Sequence, residues 1–335
     1  MKSKLGESLA RVGLNGFLVG ILCAIGLAGI LPELGSTESN LPWKPFIQVG
    51  IALLFFFYGL KLDPAQLRTG LSNWRLHVLI QVTTFLGFPL LVFTLLKFVP
   101  GIDPNFALGI SYLGALPSTV SASVVLVSIS KGNVAAAIFN ASLSSLLGVV
   151  ITPFWMGIAG GEIAGELDLW ASIIDLSFKV VLPVLLGLAL HKYLFPKIKP
   201  FLNRLKYLDQ TVILSIVFTT FSESFSQQLF ASFSWLSLGG LALFMLFILI
   251  LVVGILFLLT KMGSFSKEDR IAALFCGSTK SLVHGVAIGK VLFPSAAIFG
   301  LMLLPVMLYH LQQLILGSFL AKYYEKNSPE DASGL

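Results

Sequence analysis

An all-helical integral membrane protein of ten spans is the fold class this sequence predicts, and three observations predict it. Hydrophobic residues make up 56% of the 335-residue chain and charged residues 11%. The apolar residues gather into runs close to the ~20 residues that a helix needs to cross a ~30 Å hydrocarbon core. Most lysines and arginines fall in the short gaps between those runs. A soluble domain carries about 25% charged residues, and one of this length could not hide so much apolar surface from water. Mean hydropathy is +0.92, so lipid is the natural solvent.

Run 12–32 follows Lys2, Lys4 and Arg11 as a signal peptide would. It has full spanning length and no small-residue cleavage site behind it, so it reads as the first helix. Run 46–60 is short and stops at Lys61. Run 77–99 starts behind Arg75 and holds Gln81, an amide that is expensive in lipid. Run 106–130 contains Pro117 and ends at Lys131, and run 133–157 contains Asn140. Run 169–193 carries Asp175 and Lys179 four residues apart, on one helical face, where they are expected to pair. Run 209–227 turns polar at Ser222, Glu223 and Ser224; Glu223 faces either a vestibule or the loop. Runs 235–260, 270–291 and 294–321 complete the ten, with Lys280 in the middle of the ninth and His310, Gln312 and Gln313 in the tenth. His77 and His191 lie at run ends and are expected at the interface. Every connection is too short for a soluble domain, so 1–335 is one membrane domain.

Charge orients the bundle. With the N-terminus in the cytoplasm, 17 of the 22 basic residues lie inside, and the outer gaps hold Lys44, Lys97 and Lys290. That asymmetry obeys the positive-inside rule and predicts ten helices with both ends in the cytoplasm. The net charge of +6 is therefore a loop property, and no nucleic acid partner is expected. Cys23 and Cys276 both lie in apolar runs, so no disulfide framework is implied.

An internal repeat marks the centre. Pro117-Ser118-Thr119-Val120-Ser121 in the fourth run matches Gly277-Ser278-Thr279-Lys280-Ser281 in the ninth, and Ala136-Ala137-Ile138-Phe139 recurs as Ala296-Ala297-Ile298-Phe299, both at an offset of 160. Five spans separate the copies, which gives them opposite orientations, an inverted repeat. Each copy sets a helix-weakening residue, Pro117 or Gly277, beside small hydroxyls. Helices broken at mid-membrane expose dipoles and carbonyls that bind ions and small anions. Ser118, Thr119, Ser121, Ser123, Ser278, Thr279 and Ser281 are thus candidate substrate- or ion-binding residues, against the plainer reading that they pack helices together.

Lys280 is the most informative residue. A charge at the bilayer centre costs at least ~2.5 kcal/mol on insertion scales, so it needs a partner or a task, and a buried Lys is a candidate proton carrier. His284 lies one turn on, on the same face. Asn140 and Gln81 are equally site residues or interhelical hydrogen-bonding groups. No zinc motif, nucleophile elbow, Walker A loop or Cys-x-x-Cys pair is present, so no enzyme, no cofactor and no metal centre is expected.

Residues 116–153 hold Pro117, the Gly132-Asn133-Val134 turn and Thr152-Pro153. This stretch resembles the bile acid:sodium symporter family. Residues 59–81 and 275–290 are similar to a branch of it that includes the seventh vertebrate carrier and many bacterial proteins. The resemblance implies ten helices in two inverted halves, with the fourth and ninth helices broken and crossing. It implies a core domain of about 77–157 and 235–321 and a panel domain of about 12–60 and 169–227. It also implies a secondary transporter of a small organic anion by alternating access, in a bacterial inner membrane. Where sodium-coupled members carry Glu, Gln and Asn in the ninth helix, the aligned residues are Phe275, Thr279 and Lys280, and Ala137 and Ala141 stand at hydroxyl positions of the fifth. The coupling ion is thus Na+ or H+, with the Lys280 ammonium standing where an ion would bind. The alternative is a non-transporting membrane regulator that kept the fold, with Lys280 as a structural staple; a membrane-embedded enzyme is a third and weaker reading. Substrate identity and oligomeric state are not legible.

Overall fold

Hydrocarbon offers no hydrogen bonds, so each backbone N–H and C=O must be satisfied within the protein, and helices do this inside one segment. Every regular element among the described residues is helical. The computed structural model describes residues 16–62, 73–99, 101–159, 174, 177–293 and 295–327. In chain order the main helices are α1 (Gly16–Ile30), α2 (Trp43–Lys61), α3 (Trp74–Phe98), α4 (Pro104–Ala115), α5 (Val120–Ile129), α6 (Val134–Ala159), α7 (Leu182–Ala189), α8 (His191–Ile198), α9 (Leu202–Ser226), α10 (Trp235–Met262), α11 (Lys267–Ser278), α12 (Leu282–Leu292) and α13 (Ala296–Lys326).

Six of these segments are long and apolar enough to cross a membrane: α2, α3, α6, α10, the α11–α12 pair and α13. The sharply bent pair around Leu190, with an angle of 84°, would make a seventh. Run 46–60 extends to the 19-residue α2. Run 106–130 divides into α4 and α5, because Pro117 has no N–H and biases Leu116 to the extended backbone it adopts. Asp175 of the expected Asp175–Lys179 pair lies outside the described residues. His77 departs from its expected interfacial place: it is 6% exposed, buried against α6.

The helix order repeats. Trp74, Pro104, Val134 and Val120 open α3, α4, α6 and α5; Trp235, Lys267, Ala296 and Leu282 open α10, α11, α13 and α12, 161 to 163 residues later. Each set is a long helix, two short ones meeting at a break, and another long helix. The second break sits deep, with 94% of the most apolar stretch of α11–α12 buried inside the bundle.

Elsewhere glycines set helix spacing. Gly59 of α2 and Gly187 of α7 face each other so closely that a Cβ on Gly187 would sit 2.7 Å from the Leu60 backbone nitrogen. Backbone cannot yield as a side chain can. Gly187→Ala is therefore expected to lose ~1–3 kcal/mol to overpacking, offset in part by the ~1 kcal/mol helix-propensity gain of Ala over Gly. Gly254→Ala in α10, where a Cβ meets open space, gains that propensity without the clash. Thermal unfolding in detergent checks the pair: a Gly187→Ala protein as stable as the Gly254→Ala protein would refute the packing argument.

Candidate functional site

The site begins with carbonyls that helix geometry leaves without donors. In α3 a π-helical turn spans Thr83–Gly87, and the Phe88 N–H bonds the Thr83 carbonyl. Residue 89 is proline, which has no N–H. The Thr84 and Phe85 carbonyls are both left without a backbone donor. The Trp155 indole N–H of α6 takes the Phe85 oxygen at 2.7 Å, and the Lys280 ammonium takes the Thr84 oxygen at 3.0 Å.

The break between α4 and α5 frees a second set. Leu116 N–H turns back to Leu113 O at 3.2 Å, and Pro117 offers no donor. The Lys280 ammonium bonds Gly114 O at 2.7 Å and Leu116 O at 2.8 Å. The Thr152 hydroxyl donates to Ala115 O at 2.8 Å, and Ser281 N–H to Pro117 O at 2.9 Å. Beyond the break, Ser118 N–H donates to the Ser144 hydroxyl at 2.9 Å. A helix C-terminus is the negative end of its dipole, so a cation fits there electrostatically as well as by hydrogen bonding.

Lys280 therefore donates all three of its N–H groups to backbone oxygens, and its nitrogen also lies 4.1 Å from the centre of the Phe88 ring. At 1% exposure it is sealed from solvent. Nothing in this arrangement is left to donate to a ligand.

The break between α11 and α12 is closed from α13. The Gln313 amide accepts the Lys280 N–H at 2.7 Å and donates to the Lys280 carbonyl at 2.8 Å. The Tyr309 hydroxyl donates to Ser278 O at 2.7 Å. Gly277 is the last residue but one of α11, next to Ser278. The two breaks touch directly, with the Ser118 and Thr279 hydroxyls 3.1 Å apart.

The other sequence candidates divide. Ser123 donates to the Thr119 carbonyl one turn back, and Thr119 is buried at the start of α5. Ser121 is placed in α5, and its side chain is outside the described atoms. Asn140 and Gln81 form a network with His77: the Asn140 amide lies 2.8 Å from His77 Nδ1 and receives the Gln81 amide at 3.1 Å. That group ties α3 to α6 apart from the breaks. His284 shares a 2.9 Å hydrogen bond with the Ser281 hydroxyl and packs edge-on against Tyr58 of α2. Its Nε2 is buried and has no hydrogen-bond partner among the described residues.

A cavity of about 970 Å3 opens elsewhere, between α2, the end of α9 and the α12–α13 junction. Lys44, Lys179, Lys290 and Glu223 line it, with Trp43, Ile47 and Gln48. None of the residues picked around the breaks does. Lys290, read as a loop residue, belongs to the last turn of α12, and Glu223 faces the cavity from within α9. The sequence held a signal for this cluster, since Lys44 and Lys290 are two of the three basic residues in the gaps read as outer.

A family model described as the SBF-like CPA transporter family matches residues 15–326. Protein PA2026 of Pseudomonas aeruginosa is 38% identical over 325 residues, 96% of either chain. YfeH of Escherichia coli K12, whose name carries the word symporter, is 32% identical over 332 residues, 95% of either chain. Sodium/bile acid cotransporter 7 of Rattus norvegicus is 32% identical over 328 residues, 93% of either chain. Nearly the whole chain is matched each time, and it belongs to the SBF-like CPA transporter family, the bile acid:sodium symporter family.

Proposed function

We propose that this protein is a secondary transporter of a small organic anion that works by alternating access and takes the cation of its central site from its own sequence. The observation that carries the reading is the Lys280 ammonium, held by carbonyls from α3 and from the end of α4 while its backbone is clamped by α13. A transported ion would hold two broken helices together only while bound; a tethered one does so permanently. The oxygens around it are already used by N–H donors, which leaves Na+ no place there. Transport is accordingly proton-coupled or uncoupled rather than sodium-coupled. The repeated helix order supports ten spans in two inverted halves, with a core of about 77–157 and 235–321 moving against a panel of about 12–60 and 169–227. The basic gaps support a bacterial inner membrane with both termini in the cytoplasm. The residues at the breaks, from Ser118 to Ser123 and Ser278 to His284, shape the moving centre, and the anion is recognised beside them.

The test is a stability screen of organic anions with and without sodium, followed by uptake of the best stabiliser into vesicles. Uptake is expected to stay within about twofold when potassium or choline replaces sodium, because no site in the proposed cycle needs sodium to fill it. An absolute sodium requirement would overturn the reading. One observation favours a second reading, a non-transporting membrane regulator: a lysine with every donor used also suits a permanent staple. Binding of an anion with no flux in either direction would select it.

A further inference from the structure

We propose that α8 and the basic stretch after it, from Lys192 to Lys206, bind the headgroup of an acidic phospholipid at the membrane surface. The inference goes beyond the transport reading and needs only that the chain lies in a bilayer.

Charge comes first. Between His191 and Leu208 the sequence holds Lys192, Lys197, Lys199, Arg204 and Lys206 and no acid. All five side chains are exposed, and the four lysines make no ion pair among the described residues. The next acid along the chain, Asp209, is taken by Lys61 at 3.0 Å. Positive charges gathered this closely repel one another, and a layer of lipid phosphates offsets them.

The bend supplies the placement. Up to Ala189 the limb is apolar, with Leu182, Leu185 and Leu186 exposed on the outside of the bundle as hydrocarbon contact requires. Lysines cannot follow them into hydrocarbon cheaply, and the chain turns by 84° at Leu190. A helix nearly perpendicular to a spanning one lies along the membrane plane. α8 is amphipathic in that position: Leu194, Phe195 and Ile198 share one half-buried face, and Lys192, Tyr193, Pro196 and Lys197 share the exposed one. Tyr193, Phe201 and Tyr207 are 67%, 49% and 69% exposed, and aromatic rings of this kind anchor at headgroup depth. A basic amphipathic helix lying in the interface gathers acidic lipids. A free phosphate would satisfy the lysines and leave the rings without the acyl chains they suit.

The segment is also fastened to the bundle. His191 Nδ1 lies 2.9 Å from Leu60 O at the end of α2, and its ring stacks on Phe195. The Lys61–Asp209 pair ties α2 to α9, and Gly59 and Gly187 bring α2 against α7. A headgroup held on α8 therefore fixes the depth of three helices at this face.

The experiment uses the purified full chain in a neutral detergent with an equal mixture of phosphatidylglycerol and phosphatidylcholine of the same acyl chains. Native mass spectrometry counts the lipids retained. Phosphatidylglycerol is expected to be kept about fivefold or more in preference, and the triple variant Lys192→Gln/Lys197→Gln/Lys199→Gln should lose about fivefold of that preference. Lys199→Glu supplies a second variant if the triple one unfolds, and should act in the same direction. Removing three exposed charges elsewhere, as Lys261→Gln/Lys322→Gln/Lys326→Gln, should change the preference by less than about twofold, since charge distant from the site is screened. Millimolar glycerol phosphate, a headgroup without chains, should not displace the lipid. Equal retention of the two lipids, an unchanged preference in both α8 variants, an equal loss in the distant triple variant, or displacement by glycerol phosphate would each overturn the proposal.

Discussion

Replacing Lys280 with alanine is expected to lower the unfolding temperature sharply, and ammonium or methylammonium salts are expected to restore it while leaving the wild-type protein unmoved. The reason is the set of acceptors left behind. Thr84 O is without a backbone donor because of the π-helical turn and Pro89, and Gly114 O and Leu116 O because of the break at Pro117. All three are buried and have the Lys280 ammonium as their partner. Removing one member of a buried charged arrangement costs ~3–5 kcal/mol. A free cation small enough to enter the vacated space can meet the same oxygens and lie against Phe88. Lys280→Met supplies the contrast, since its stem fills the space and presents no donor. It should be destabilised to a similar degree and not respond to added ammonium. Thermal unfolding in detergent over a series of ammonium, methylammonium, potassium and sodium chloride reads both variants. If the alanine variant melts like the wild type, or no cation restores it, then Lys280 is not a tethered ion.

Much of this centre was visible in the sequence. A lysine in the middle of an apolar run is costly wherever it goes, so Lys280 had to be partnered, and the 160-residue repeat tied its run to the one containing Pro117. The identity of the partners was not visible. The hydroxyl clusters suggested side-chain oxygens as ligands, and an acid or helix-end carbonyls were the structural alternative for Lys280; the ammonium bonds backbone carbonyls. Pro89 does announce an orphan carbonyl at Phe85, yet which distant donor fills it depends on how α3 meets α6, a tertiary fact. His77 looked interfacial because it opens an apolar run behind Arg75; α3 begins three residues earlier and carries it inward to Asn140. The Lys44–Lys290 cavity escaped because its residues are scattered over segments far apart in the sequence that come together only when the bundle packs. The sharp bend after Ala189 had no such excuse of distance, yet nothing in run 169–193 distinguishes a bend from a straight span.

Gln313→Met is the second change expected to have a large effect, and it tests the other half of the clamp. The Gln313 side chain is 2% exposed and meets both backbone groups of one residue, accepting from Lys280 N–H and donating to Lys280 C=O. A residue between two helices has no ladder to satisfy those groups, so the amide of α13 substitutes for a missing turn. Methionine has nearly the same length and flexibility, fills the same space and offers neither donor nor acceptor. Two buried backbone groups lose their partner at ~1–3 kcal/mol each, an expected loss of about 2–6 kcal/mol. Tyr309→Phe, which removes one hydrogen bond to Ser278 O, should cost about 1–2 kcal/mol by the same reasoning. The double variant Lys280→Met/Gln313→Met should lose less than the sum of the two single losses. Once either hold on residue 280 is gone the break can shift and water can reach the freed groups, so the second removal finds less to undo; couplings of ~0.5–3 kcal/mol are usual for residues in one network. Thermal unfolding of the wild type, the two single variants and the double variant side by side gives the cycle. Strict additivity would mean that Lys280 and Gln313 stabilise separate parts of the bundle, and the picture of one break held from two sides would have to be abandoned.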